Sequence, residues 1–166
     1  MRNTFIVLAA FLLLSVACRK TGDTIVPDNT AVASDSSLGI VVADTIIYDM
    51  IIRNDNPEDT WGAYCLQGLN HGMLIDQIFQ MVYAGNAVAY NHETSEKLTP
   101  AQVKNIESEE GFNRSDIGKI QFTEVWYMNP KETDMTKKVI RMALGMASYD
   151  TKGELMGYKA LFRVEM

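Results

Sequence analysis

The chain holds only two cysteines and two histidines among its 166 residues. That scarcity excludes a disulfide-stapled fold, so stability has to come from an apolar core. A catalytic zinc usually draws three protein ligands and favours a helical His-Glu-x-x-His pair. Here His92-Glu93 is followed by Glu96 in a polar stretch with no second histidine, and His71 falls at a predicted helix start. Positive charge is short as well, with 15 Lys and Arg against 21 Asp and Glu and a net charge of −6. Beyond Arg19-Lys20 and Lys137-Lys138 the basic residues do not cluster, which excludes nucleic acid as a partner, because phosphates are neutralised by grouped cations. Gly-x-Ser-x-Gly, Gly-x-Gly-x-x-Gly and phosphate-loop patterns are all missing, and with them the mechanical parts of serine hydrolases and nucleotide enzymes. The sequence therefore implies no catalytic residue, no metal and no cofactor.

What is present begins at the amino end. Arg2 precedes an apolar run from Phe5 to Leu14, and Ser15-Val16-Ala17-Cys18 closes it. A charged start, an apolar middle and a small-residue exit form the layout of a secretory signal. At about thirteen residues the run is shorter than the roughly 20 that a spanning helix needs. The last four residues resemble the lipobox of bacterial lipoproteins, with Ser15 standing where Leu is usual. The resemblance implies that a diacylglycerol is attached to the Cys18 thiol and that residues 1–17 are removed. The other readings are an ordinary secretory signal that happens to end beside a cysteine, and an uncleaved anchor. Several acyl chains on Cys18 would hold the protein firmly at a membrane, since each buried methylene contributes about 0.8 kcal/mol. Removal of residues 1–17 takes away Arg2 and no acid, so the remainder is more acidic still. Lipidation also leaves Cys65 without an intramolecular partner, and we expect it to be buried rather than reactive.

Residues 18–38 are Thr, Ser, Asp, Asn, Gly, Pro and small apolar side chains without period. Such a segment removes too little apolar surface from water to offset its ordering entropy and reads as a flexible tether. Residues 39–166 have the length of one domain. Gly39 to Arg53, rich in Val and Ile, reads as a strand ended by Asn54-Asp55-Asn56-Pro57-Glu58-Asp59. Leu74, Ile75, Ile78, Phe79 and Val82 recur at helical spacing, predicting a helix from about Asn70 to Gly85, with a short strand at Ala87 to Tyr90. Trp61 to Asn70 gives no clear pattern. At Leu98-Thr99-Pro100-Ala101-Gln102-Val103, a capping box, an N1 proline and a hydrophobic staple predict a helix running to Glu110 and ended by Gly111. Alternation then predicts strands at Lys119 to Met128, Lys137 to Tyr149 and Leu155 to Met166, the last two joined by an Asp150–Gly153 hairpin. Ile120, Phe122, Glu124, Trp126 and Met128 are expected on one face of the first. Ile140, Met142, Leu144 and Met146 share a face of the second, and Met156, Tyr158, Ala160, Phe162 and Val164 a face of the third. The fold class is α+β: an antiparallel sheet, built from the C-terminal three-stranded meander plus the N-terminal strand, with two helices packed on one face.

Residues that carry chemistry elsewhere have plainer readings in this sequence. The acidic Asn54–Asp59 turn offers oxygens but lacks calcium-loop spacing and a distal Glu, and reads as a solvated turn. Glu107, Glu109 and Glu110 read as a solvated helix end rather than a glycosidase pair. Ten methionines, including Met142 and Met146 at even spacing, read as flexible core filling rather than a copper site. Trp61, Trp126, Tyr127 and Tyr158 read as core or core edge.

From Asp44 onward the chain resembles the gliding-motility protein N (GldN-like) family of Bacteroidetes. The resemblance rests on the helix from Ile78 toward Tyr90 with its Gly and Ala-Tyr exit, the Leu98-Thr99-Pro100 step, and paired strands ending Gly157-Tyr158-Lys159-Ala160-Leu161-Phe162. It implies a short lipoprotein relative of a non-enzymatic scaffold in a secretion apparatus, at the periplasmic side of the outer membrane, with other envelope proteins as partners. Cys18-Arg19-Lys20 lacks the early acidic run of a surface-export signal, which favours the periplasmic side. An assembly role predicts an exposed apolar or aromatic patch. The alternative, a small binding module for a peptide, glycan or lipid, predicts a deep apolar pocket.

Overall fold

In a computed structural model of the chain, residues 36–129, 131 and 133–166 are described. The leader, Cys18 and most of the tether lie outside them. After a 3₁₀ turn at Ser36–Leu38 come β1 (Ile40–Ile51), α1 (Thr60–Leu66), α2 (His71–Tyr83), β2 (Val88–Asn91), β3 (Lys97–Leu98) and α3 (Pro100–Glu107). A second 3₁₀ turn at Arg114–Asp116 leads into β4 (Ile117–Asn129), β5 (Asp134–Tyr149) and β6 (Leu155–Glu165). The strands form one open sheet in the order β1-β4-β5-β6-β2-β3, with every neighbour antiparallel. The fold is α+β, and the expected meander with its N-terminal strand makes up four of the six strands.

Local chemistry accounts for the element ends. The Asn70 side chain accepts from the Met73 amide and starts α2, while Gly85 in the left-handed region (φ +76°) stops it. Thr99 and Gln102 form the reciprocal capping box of α3, and Leu98 and Val103 belong to the same core. That helix ends at Glu107, short of Glu110: the Ser108 amide is shared with the Asn105 carbonyl, and the Glu109 amide bonds Ile106 three residues back, so the chain tightens into a turn. In the β5–β6 hairpin, Gly153 takes φ +82° and the Asp150 carboxylate accepts the Lys152 and Glu154 amides.

The core lies between α2, α3 and the sheet. Ile75, Ile78, Phe79 and Val82 of α2 and Val103 of α3 join Ile120, Met142, Leu144, Phe162 and Val164 of the sheet. Phe79 is fully buried, edge-on to Phe162 at 5.3 Å between ring centroids and to Phe112 at 6.3 Å. Arg114 lies 4.3 Å over the same ring and pairs with Glu107 and Asp76.

Two shared-face expectations fail, those for β5 and β6, and β-bulges are the common cause. Pairing of β4 with β5 shifts between Thr123 and Glu124, which takes Ile140 out of step. β4 keeps its alternation, since Tyr48 stacks on Phe122 and Tyr48 and Trp126 both bond Glu124, while Val125 and Tyr127 are buried on its other face. Pairing of β5 with β6 shifts between Ala143 and Gly145. Phe162 and Val164 therefore reach the core, whereas Tyr158 and Ala160 stand on the opposite face and Met156 is 72% exposed. An inserted residue reverses every side chain that follows it.

Candidate functional site

The sheet face opposite the core carries the polar side chains that converge. Cross-strand partners share a face, so Asp49, Gln121 and Ala143 form one row and Ile51, Lys119, Gly145 and Ala160 the next. The small residues Ala143, Gly145 and Ala160 make a floor, and Asp49, His92, Lys119, Gln121 and Tyr158 wall a recess of about 180 Å³. Tyr158 can lie there because β4 and β5 present glycines to it. A Cβ on Gly118 would sit 2.8 Å from Tyr158 Cε1, and one on Gly145 3.2 Å from Tyr158 Cβ. Lys119 Nζ donates to Asp49 Oδ2 at 2.9 Å and Gln121 Nε2 to Oδ1 at 3.0 Å. These two donors, Lys119 first, hold the Asp49 pKa below the ordinary carboxylate value. Burial, and then the field of Asp55, pushes the Tyr158 hydroxyl up.

Tyr158 also borders a second, wider recess of about 450 Å³, formed by Ile51, Arg53, the turn from Asn54 to Pro57 and the hairpin from Gly153 to Leu155. Arg53 is its centre, bonding Asp55 at 2.5 Å, Asp116 at 2.7 Å and the Tyr149 hydroxyl at 2.8 Å. Desolvation works against the guanidinium charge, but Asp116 and Asp55 outweigh it and raise its pKa. Both recesses are open, and while Lys119 answers Asp49 in the first, the second holds Arg53 against Asp55 and Glu154 and is net acidic. The Lys119–Asp49 and Arg53–Asp55–Asp116 pairs hold one another in place. Among the described residues, no three His, Cys, Asp or Glu side chains are placed to share a metal ion.

A different surface lies at the end of the sheet. β1 is an edge strand, paired on one side with β4, and apolar side chains on both of its faces meet solvent. Ile40, Val41, Val42, Ile47, Tyr48, Met50 and Ile51 are all exposed, Ile47 to 55%. Beneath it Glu124 is 4% exposed and accepts from the Tyr48 hydroxyl and from Trp126 Nε1, each at 2.9 Å. No ion pair among the described residues reaches this carboxylate, so its charge is met by neutral donors. Burial, then the Glu124 bond, raises the Tyr48 pKa.

α1 presents a second exposed apolar feature. Asp59 caps it by accepting the Gly62 amide, yet the helix buries no residue. Trp61, 71% exposed, and Tyr64 stack on each other at 5.5 Å between centroids. Cys65 is exposed on the same helix, which corrects the expectation that it is buried, and Trp61 is likewise no core residue. The cause is that α1 contributes nothing to the core.

The remaining candidates fall as follows. His71 opens α2, and its Nε2 lies 2.7 Å from the Ile117 carbonyl, a structural tie to β4. The Asn54–Asp59 turn spends its oxygens locally: Asn54, Asn56 and Asp59 accept backbone amides and Asp55 pairs with Arg53. Glu109 and Glu110 are exposed. Glu107 instead accepts from Arg114 at 2.5 Å and from the Tyr83 hydroxyl, which ties α3 to α2. Cys18 lies outside the described residues. No described helix is long and apolar enough to cross a membrane. No protein-family model matches the chain, and no curated protein matches it.

Proposed function

We propose that the protein is a non-enzymatic lipoprotein of the cell envelope, held at a membrane by acyl chains on Cys18, and that it works by protein contact as a scaffold or accessory part of an assembly. The observation that carries this reading is β1, an edge strand whose apolar side chains are exposed on both faces. Long hydrophobic edges invite pairing, and natural sheets blunt them unless they are used. The stacked Trp61–Tyr64 pair adds an aromatic contact of the kind enriched at protein interfaces. The Ser15-Val16-Ala17-Cys18 sequence supports the anchor. Resemblance to the gliding-motility protein N family supplies the setting: a secretion-type assembly at the periplasmic side of the outer membrane. The alternative, a small binding module for a peptide, glycan or lipid, rests on the open recesses beside Tyr158. A dedicated ligand site is a cleft that buries most of its ligand.

Two measurements test the reading. Metabolic labelling with a palmitate analogue, followed by fractionation, should find label and protein together in the membrane, and Cys18→Ser should lose both. Retention of the unlabelled variant in the membrane contradicts the anchor. On native gels of detergent-solubilised envelopes the wild type should migrate in a large complex, from which Ile47→Lys combined with Met50→Lys dissociates. Migration as a lone small protein in both cases contradicts the assembly role.

A further inference from the structure

The assembly reading leaves open what meets the β1 edge, and the edge itself constrains the answer. Ile52 donates its amide to the Gly118 carbonyl. Backbone groups alternate sides along an antiparallel strand, so Met50, Tyr48 and Ile46 turn theirs toward β4. Ile47, Asp49 and Ile51 present both amide and carbonyl outward. From Ile46 to Ile51 the pairing with β4 runs without a break. The rest of the strand is blunted by register shifts between Val41 and Ala43 and between Ala43 and Ile46, with Thr45 at φ +56°. At the opposite end of the sheet β3 is only Lys97 and Leu98, with Lys97 exposed. Among the described residues, protection is thus present at one edge and along half of the other, and is missing at Ile46–Ile51.

Charge selects the occupant. Residues 40–52 contain Asp44 and Asp49 and no Lys or Arg. Asp44 is exposed and, among the described residues, accepts the Thr45 hydroxyl, while Asp49 is answered by Lys119 and Gln121 with its side chain 47% exposed. A second copy of this chain fits poorly. Two-fold pairing centred on Asp49 sets the two carboxylates directly opposite, and pairing centred on Tyr48 makes them diagonal neighbours about 7–8 Å apart. We propose that Ile46–Ile51 is an acceptor edge for an extended segment of a partner protein, apolar and basic in alternation. The segment adds as a seventh strand beside β1, with Lys or Arg against Asp49. This rests on the assembly reading and names the chemistry of the partner.

The test uses the full chain in detergent micelles with three short synthetic peptides. One alternates valine with lysine, one alternates valine with glutamate, and one is the lysine peptide N-methylated on alternate amides. With the lysine peptide, hydrogen exchange at the Ile47, Asp49 and Ile51 amides should slow by roughly tenfold or more, and those of Ile46, Tyr48 and Met50 should change little. The glutamate peptide should bind about tenfold more weakly or worse, and methylation on the edge facing β1 should abolish binding. Asp49→Lys should reverse the preference between the lysine and glutamate peptides, with circular dichroism confirming the fold. Equal binding of both peptides, protection elsewhere than at the outward amides, or self-association by light scattering without peptide overturns the proposal. If the peptides fail while the Ile47→Lys, Met50→Lys variant still dissociates the native complex, this inference falls alone and the assembly reading stands.

Discussion

The buried carboxylate of Glu124 offers a double-mutant cycle with a calculable outcome. Glu124 is 4% exposed, and its two oxygens are served separately by the Tyr48 hydroxyl and by Trp126 Nε1, both at 2.9 Å. Tyr48→Phe leaves Oε1 buried without a donor. A hydrogen bond to a charged group contributes about 1.5–3 kcal/mol, and a neutral one about 1 kcal/mol. Tyr48→Phe should therefore destabilise the wild type by about 2 kcal/mol and the Glu124→Gln variant by about 1 kcal/mol. The coupling of about 1 kcal/mol exceeds the few tenths that independent sites show. Urea titrations at neutral pH measure it, with m unchanged across the four proteins because no large surface is newly exposed. A coupling indistinguishable from zero refutes the account, since it means that the charge is met by solvent and that the bond does not tie β1 to β4.

Other expectations follow from the same contacts. Phe79→Ala removes a fully buried ring packed edge-on against Phe162 and under Arg114, and should lower unfolding stability by about 3–5 kcal/mol in urea. Asp49 has a folded-state pKa below its ordinary 3.8. Its contribution is present above that ordinary value and is lost as pH falls through the lower folded value. Asp49→Asn should thus flatten the acid side of the stability profile below about pH 4, by a small amount because the pair is exposed to solvent. Exposed Cys65 should react with a maleimide in the native protein about as fast as in urea, and protection by orders of magnitude would contradict the placement of α1.

Much of this fold is readable from local chemistry. The α2 stripe from Leu74 to Val82, the Thr99–Gln102 capping box and the Asp150–Gly153 turn each satisfy backbone groups within a few residues, so neighbouring letters suffice. α1 escapes notice because it buries nothing and so imposes no apolar period, although Asp59 three residues before Gly62 is a cap signal. β3 is two residues long and, among the described residues, pairs with β2 alone, too short for any alternation. The recess beside Tyr158 is hidden for a subtler reason. Tyr158, Ala160, Phe162 and Val164 look like one face, and only the bulge opposite Leu144 separates the first two from the core. Bulges follow from how partner strands twist, and alternation along a single strand carries no record of them. The open edge is not local either, since strand order depends on the whole sheet, while Asp44 and Asp49 are visible at once as the only charges in residues 40–52.

The central claim is that this domain works by contact through the Ile46–Ile51 edge. A photo-crosslinking amino acid placed at Ile47 in living cells tests it most directly, with the same residue at exposed Glu109, just past the end of α3, as control. The account predicts a discrete adduct to another envelope protein from position 47, lost on competition with the valine–lysine peptide in isolated envelopes, and none from position 109. Adducts of equal yield from both positions, or none from position 47, contradict it.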